Sequence, residues 1–360
     1  MAKIGLPALL KTMVDQGASD LHVTTGVPPE FRMSGSMVKV KLDPLNGQDT
    51  KDLCYSVLTD SQKVEFERNL EIDFSFGIKD LARFRGNLFY QRGNIAGVFR
   101  QIPFKIPDFE SLKLPEVMKK VIRKPNGLIL VTGPTGSGKS TSLAAMLDIL
   151  NREEYGHIMT IEDPIEFIHA HKNCIVNQRE VGVDTKTFHG AMRRILRQDP
   201  DFILIGELRD AETMEMALTL AETGHLVFGT LHTNDTIQTI NRVINIFPPH
   251  SQAQVRSVLS FVLQAVLSQQ LVPNTAGNAR LVATEVLIPN TAIRNLIRED
   301  KIHQIYSSMQ SGQDNTGMQT MNQSLSGLAR AGLITKAIAI AHSSVPDEIT
   351  KMMASLPDRP

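Results

Sequence analysis

Residues 128–141 read Leu-Ile-Leu-Val-Thr-Gly-Pro-Thr-Gly-Ser-Gly-Lys-Ser-Thr. The opening run, Leu128 to Val131, is continuously apolar and stops at Gly133, as a buried parallel strand does when it enters a loop. Leu143, Leu147 and Leu150 follow at helical spacing, so strand, loop and helix come in the order that a phosphate-binding loop requires. Residues 133–140 fit G-x-x-x-x-G-K-[ST] at every position. Gly133, Gly136 and Gly138 let backbone N–H groups converge on phosphate oxygens, with Pro134, Thr135 and Ser137 between them. The helix N-terminus adds about half a positive charge, Lys139 reaches the β- and γ-phosphates, and Ser140 offers a hydroxyl to Mg²⁺. Thr141 closes the candidate nucleotide-binding stretch.

Downstream, His-Ile-Met-Thr-Ile-Glu-Asp from His157, Phe-Ile-Leu-Ile-Gly-Glu from Phe202 and His-Leu-Val-Phe-Gly-Thr from His225 read as three more buried strands. Helices are expected between them over 187–198 and 211–223, the second with Asp210 as N-cap and Gly224 just past its end. Alternating β and α elements imply a mainly parallel sheet covered on both faces. Glu207 ends an apolar strand, the usual place for a carboxylate that faces Mg²⁺ and an attacking water, and is the first candidate catalytic carboxylate. Glu162, Asp163 and Glu166 form a second acidic group, of which Glu166 is the candidate assisting carboxylate and metal ligand; Asp163-Pro164 is equally a turn initiator. His225 and His232 bracket the next strand, and either is a candidate γ-phosphate sensor as well as an ordinary strand-end histidine.

Around this centre, 360 residues suggest about two domains, and 42% hydrophobic with 21% charged residues is a globular balance. Thirty-eight basic residues cancel thirty-eight acidic ones, so no whole-chain field attracts nucleic acid or an anionic membrane. Cys54 and Cys174 are too few for a disulfide framework and too distant for a CxxC motif, which points to a reducing compartment. The N-terminus carries charges within its apolar stretch and does not read as a signal peptide. The apolar run Ser257 to Leu271 is broken by Ser and Gln and falls short of the ~20 residues of a membrane span. Short β-rich runs between Asp20 and Arg100 suggest a small α+β domain over 1–100. Pro103, Pro107 and Pro115 disfavour regular structure, which puts a linker at 101–111 and the second domain at 112–360. After Ala292 the chain becomes helical, interrupted by the polar stretch Ser311 to Gly317.

Four segments in order, GPTGSGKST, IEDPIE, GELRD and GHLVFGTLHT, resemble the Walker A, Asp-box, Walker B and His-box motifs of the secretion-type hexameric ATPases. The early ASDLHVTTGVPPEFRMSG resembles that family's N-terminal domain, so the likeness covers nearly the whole chain. Within the family, Ala292, Ile293, Arg294, Asn295, Leu296, Ile297, Arg298 and Glu299 match the AIRNLIRE helix of its pilus-retraction branch. Burial explains Ile293, Leu296 and Ile297 at helical spacing. The polar residues of the helix are those the resemblance assigns to retraction. Assembly and type II secretion members usually carry a tetracysteine zinc element, which two distant cysteines cannot build.

The resemblance implies an α/β fold in which a small PAS-like α+β domain precedes a RecA-like P-loop domain with a helical C-terminal part. It implies a homohexameric ring that hydrolyses ATP with Mg²⁺ and acts on the inner-membrane platform protein of the pilus machine, with a paralogous accessory ATPase as a further partner. The location it implies is cytoplasmic, peripheral to the inner membrane at the pilus base. An arginine from a neighbouring subunit would stabilise the transition state; Arg83, Arg85, Arg92 and Arg100 are the candidates in the N-terminal domain. Two other readings share the phosphate loop: a RecA-like nucleic-acid translocase, weakened by zero net charge and the absence of Trp, and a nucleotide-gated scaffold, weakened by intact Lys139, Ser140 and Glu207.

Overall fold

The computed structural model of the chain describes residues 4–33, 35–79, 81–102, 105–311 and 316–354. Residues 312–315 of the polar stretch after Ser311, and 103–104 of the expected linker, lie outside the described residues. Contacts divide the chain into two compact units, one running to Lys105 and taking in Glu166–Ile168, the other comprising Ile106–Ile165 and the chain from His169 onward. The division at Lys105/Ile106 lies inside the stretch 101–111. The strand Asn94–Ile102 takes Gln101 and Ile102, while Phe109 is fully buried in the second unit's core.

The first unit is built from helix α1 (Leu6–Asp15), strands β1 (Asp20–Val23), β2 (Glu30–Met33) and β3 (Ser36–Lys39), helices α2 (Gly47–Tyr55) and α3 (Asp60–Asn69), and strands β4 (Glu71–Ile78), β5 (Ala82–Gln91) and β6 (Asn94–Ile102). Its sheet has the order β3-β2-β1-β6-β5-β4, and every pairing is antiparallel. Alternation along β5 sends Ala82, Phe84 and Leu88 into the core with Leu6, Leu10, Met13 and Phe66. Arg83 and Arg85 therefore belong to the other face.

The second unit contains α4 (Val117–Val121), β7 (Gly127–Thr132), α5 (Lys139–Glu153), β8 (His157–Glu162), β9 (Ile175–Glu180), α6 (Phe188–Ile195), β10 (Phe202–Ile205), α7 (Ala211–Glu222), β11 (Leu226–Leu231), α8 (Thr236–Asn245), α9 (Pro249–Val262), β12 (Leu263–Pro273) and β13 (Arg280–Leu287). After them come helices α10 (Thr291–Arg298), α11 (Ile305–Ser311), α12 (Met321–Arg330), α13 (Lys336–Ala341) and α14 (Pro346–Met352). The sheet order is β13-β12-β7-β11-β10-β8-β9, with every pairing parallel except that of β13 on β12. Leu128 and Leu130 enter one core with α7 and α9, while Ile129 and Val131 enter the other with α5. Burial on both faces is why this strand reads as an unbroken apolar run.

The helix expected over 187–198 is shorter, Phe188–Ile195, with the Thr187 side chain accepting from Gly190 N. Asp210 caps α7 by accepting from Thr213 N, and Gly224 follows with φ +109°. The apolar stretch from Ser257 divides at Val262/Leu263, where α9 passes directly into β12. Among the described residues, no helix is long and apolar enough to cross a membrane.

Candidate nucleotide site

The parallel strands bring their C-terminal ends to one edge of the second unit's sheet, where loops of α/β folds gather functional residues. At this edge β7 delivers the loop 133–138 and α5 begins at Lys139. Gly133, Gly136 and Gly138 have φ of +139°, +77° and +90°, a region that side chains other than glycine rarely adopt. Space demands glycine as well: a Cβ on Gly133 would lie 2.2 Å from the carbonyl oxygen of Gln269. Gly138 is the N-cap of α5 and supplies no side-chain cap, so the first N–H groups of the helix are left for an anionic ligand.

Lys139 is nearly buried, and its Nζ donates to the carbonyl oxygens of Gly133 (2.7 Å) and Pro134 (3.1 Å). Burial pulls the pKa of this ammonium below the ordinary lysine range, while the negative charge of Glu207 works in the opposite direction. Ser140 and Thr141 occupy the first turn of α5, with Ser140 exposed.

Glu207 lies just past β10. Gly206 N donates to Ile161 O and Leu208 N to Thr230 O, so the chain stays laced between β8 and β11 as the carboxylate reaches the edge. Glu207 Oε1 is 3.3 Å from His232 Nε2, and its Oε2 is 2.9 Å from Arg209 Nε. Thr233, next to His232, shares a 2.6 Å hydrogen bond with Thr239, whose hydroxyl donates to Thr132 Oγ1 at 3.3 Å. Thr132 immediately precedes Gly133, so hydroxyl groups connect the histidine loop to the strand that feeds the phosphate loop.

The structure does not bring His225 to this place. It precedes β11 at the opposite edge, about 23 Å from His232 at ~3.3 Å per residue of strand. There its Nδ1 is 3.0 Å from Leu220 O at the end of α7, and its carbonyl accepts from Gly127 N. Glu166 lies in the segment Glu166–Ile168 that groups with the first unit. Glu162, by contrast, is a buried carboxylate at the end of β8, accepting from Thr160 Oγ1 at 2.7 Å and Gln178 Nε2 at 3.1 Å.

In the first unit, Arg85 and Arg100 are cross-strand partners, and Arg83 sits two residues from Arg85 on the same face. Arg100 Nε donates to the buried Asp20 at 2.7 Å, and Arg85 lies 3.8 Å from Asp73. Arg92 is in the β5–β6 turn with φ +49°, seven residues along the chain from Arg85 and at the other end of the hairpin.

Helix α10 has Asn290 as its N-cap, accepting from Ile293 N, and buries Ile293 and Ile297 completely. Leu296 packs partly against the same core. Ala292 is in its first turn and Glu299 is its C-cap residue, paired with Lys301 at 2.7 Å. Arg294 donates to the carbonyl oxygens of Ser260 and Phe261, while Arg298 donates to Asn295 Oδ1 and lies over the exposed Phe261 ring.

No motif spacing marks Gln269, a fully buried amide in β12 whose Nε2 donates to Ser137 O at 2.8 Å. The signal available for it was a glutamine inside an apolar strand, where a polar side chain requires a partner.

Residues 109–314 match the family model described as Type II/IV secretion system protein. The chain is 52% identical, over 94% of its own length and 98% of the relative's, to the type IV pilus retraction ATPase PilT of Pseudomonas aeruginosa. It is 43% identical to the type IV pilus ATPase PilU of the same organism, over 96% of the chain and 90% of the relative. The crystal structure of the pilus retraction motor PilT with bound ADP superimposes with a TM-score of 0.92 at 51% identity, covering 97% of this chain and 99% of that one. A complete phosphate loop, a strand-end glutamate held beside a histidine, and likeness along the whole chain agree: it belongs to the Type II/IV secretion system protein family, in the branch that contains PilT.

Proposed function

We propose that this chain is an ATPase motor that drives retraction of type IV pili, the activity behind twitching motility. The observation that carries this reading is the 52% identity to a retraction ATPase over 94% of this chain and 98% of the relative. Assembly into a homohexamer, action on an inner-membrane platform protein, a paralogous accessory ATPase and a cytoplasmic place at the pilus base belong to the same proposal.

Chemically, the site suits in-line hydrolysis. The N–H groups of residues 133–141 would hold the phosphates, and Lys139 would leave the carbonyls of Gly133 and Pro134 to meet the β- and γ-oxygens. Ser140 and Glu207 present oxygen donors at one sheet edge, the donor type Mg²⁺ prefers. When bound, Mg²⁺ would neutralise developing phosphate charge.

Glu207 would orient the attacking water once its oxygens exchange the contacts to His232 and Arg209 for it. His232 is proposed as the γ-phosphate sensor. Glu166 is proposed as an assisting carboxylate, and Arg83, Arg85 and Arg100 as arginines offered to a neighbouring subunit; Arg92, at the other end of its hairpin, would act separately. His225, at the far edge of the sheet, is proposed to end α7 rather than to take part in hydrolysis.

The deciding experiment counts surface pili and retraction events in the host after Lys139→Ala replacement. Persistent pili that no longer retract are expected. Loss of all pili would make the chain an assembly motor, and unchanged pili would move it to another machine.

A further inference from the structure

We propose that Gln269 is a positioning residue for nucleotide binding: its side-chain amide sets the orientation of the Ser137–Gly138 peptide and thereby aims the phosphate loop. Strand β12 pairs with β7 as far as Ser268↔Thr132, so Gln269 stands beside the point where the loop leaves the sheet. Ala265 and Leu267, which share its face, belong to the apolar core against α5. Leu, Val or Met would be expected next in that row. Gln269 is instead 1% exposed, and its Oε1 has no hydrogen-bond partner among the described residues. A buried amide with an unmet acceptor costs stability, so the bond made by the other half of the group needs a reason.

The reason lies in peptide geometry. Gln269 Nε2 donates to Ser137 O at 2.8 Å. Because the peptide is planar and trans, the C=O of Ser137 and the N–H of Gly138 point in opposite directions. Holding that oxygen toward β12 directs the Gly138 N–H away from it. Two loop glycines also pack on this residue: a Cβ on Gly133 would lie 2.2 Å from Gln269 O, and one on Gly138 3.2 Å from its Nε2. Backbone and side chain of Gln269 thus brace both ends of the loop. The effect on the ligand is indirect, through the loop's N–H groups.

The test measures ADP affinity of the full chain by calorimetry. Gln269→Met keeps the volume and removes the donor; it should weaken ADP binding about tenfold, the worth of one buried hydrogen bond. Gln270→Met is the control. Gln270 is the next residue of the same strand, and its Nε2 donates to His342 O instead, so its ADP affinity should stay within about twofold. Gln269→Glu supplies a readout that a purely structural role would not give, and it serves also if the Met variant does not fold. As a neutral acid the new carboxyl donates to Ser137 O, and as a carboxylate it cannot. Its ADP affinity should therefore approach the parent's at acidic pH and fall about tenfold or more as pH rises, against a flatter parent profile. Parent-like affinity in Gln269→Met, equal weakening in Gln270→Met, or a Gln269→Glu profile parallel to the parent's would each overturn the assignment.

Discussion

Arg294 Nη1 lies 2.8 Å from the carbonyl oxygen of Phe261, and the same nitrogen donates to Ser260 O. Both carbonyls belong to the last turn of α9, where backbone acceptors lack helical partners and a cation is favoured. The guanidinium of Arg294 is thereby committed to joining α10 to α9, and burial lowers its pKa from the usual value. The polar face of α10 therefore has two parts: an arginine that ties down a helix end, and Asn295 with Arg298, which lie toward solvent beside Phe261.

These two parts should separate on substitution. Arg294→Ala is expected to destabilise the protein by about 1.5–3 kcal/mol, the range for hydrogen bonds from a charged donor, read as a lowered thermal midpoint. The double change Asn295→Ala with Arg298→Ala should leave the midpoint and ATP turnover nearly intact while pilus retraction stops. Equal destabilisation by the two sets of changes would remove the distinction.

Lys139→Ala should abolish ATP turnover without unfolding the chain. Among the described residues, Lys139 bonds only to carbonyls of its own loop, so its loss removes a phosphate-directed charge rather than a strut of the core. A phosphate-release assay beside a circular-dichroism melt checks both halves, and parent-like turnover in the folded variant would refute the role.

Glu207→Gln is expected to retain ADP binding and lose hydrolysis. The amide keeps the size of the group near His232 but cannot serve as the anionic partner of an attacking water. Calorimetry for ADP and turnover for ATP distinguish this from a general collapse of the site, in which both would fail.

His169 predicts an acid-labile fold. Burial lowers its imidazole pKa from 6.5 to about 4, Asp148 acting against the shift and Lys172 with it. A folded pKa below the unfolded value means that the unfolded chain binds more protons between those limits. Its contribution is thus fully present above pH 6.5 and is lost as pH falls toward about 4, amounting to roughly 3 kcal/mol. Denaturant unfolding from pH 7 to 4.5 should show the parent losing more stability than His169→Gln, and parallel losses would rule out this histidine as the source.

The phosphate loop was legible because its requirements are local. Positive φ at Gly133, Gly136 and Gly138, a lysine at the helix start and an apolar strand before it all lie within a short stretch of chain. Glu207 was legible for a related reason, since an apolar strand ending in an acid places that acid at a sheet edge. His225 and His232 bracket one strand, and their spacing makes either a candidate, with His232 the one favoured. Strand direction alone separates them, because only the C-terminal end of a parallel strand meets the phosphate loop.

By itself the sequence determined four of the second unit's strands, the phosphate loop, the family and the apolar face of α10, all of which depend on residue type and spacing along the chain; β9, β12 and β13 became visible only in the sheet. Tertiary structure alone decided that Gln269 braces Ser137 across 132 residues, that Arg294 is bound to the end of α9, and that His225 and His232 lie at opposite edges. The physical reason is that a hydrogen bond between distant residues depends on which strands are neighbours and which way each side chain faces. Local spacing sets neither until the sheet has formed.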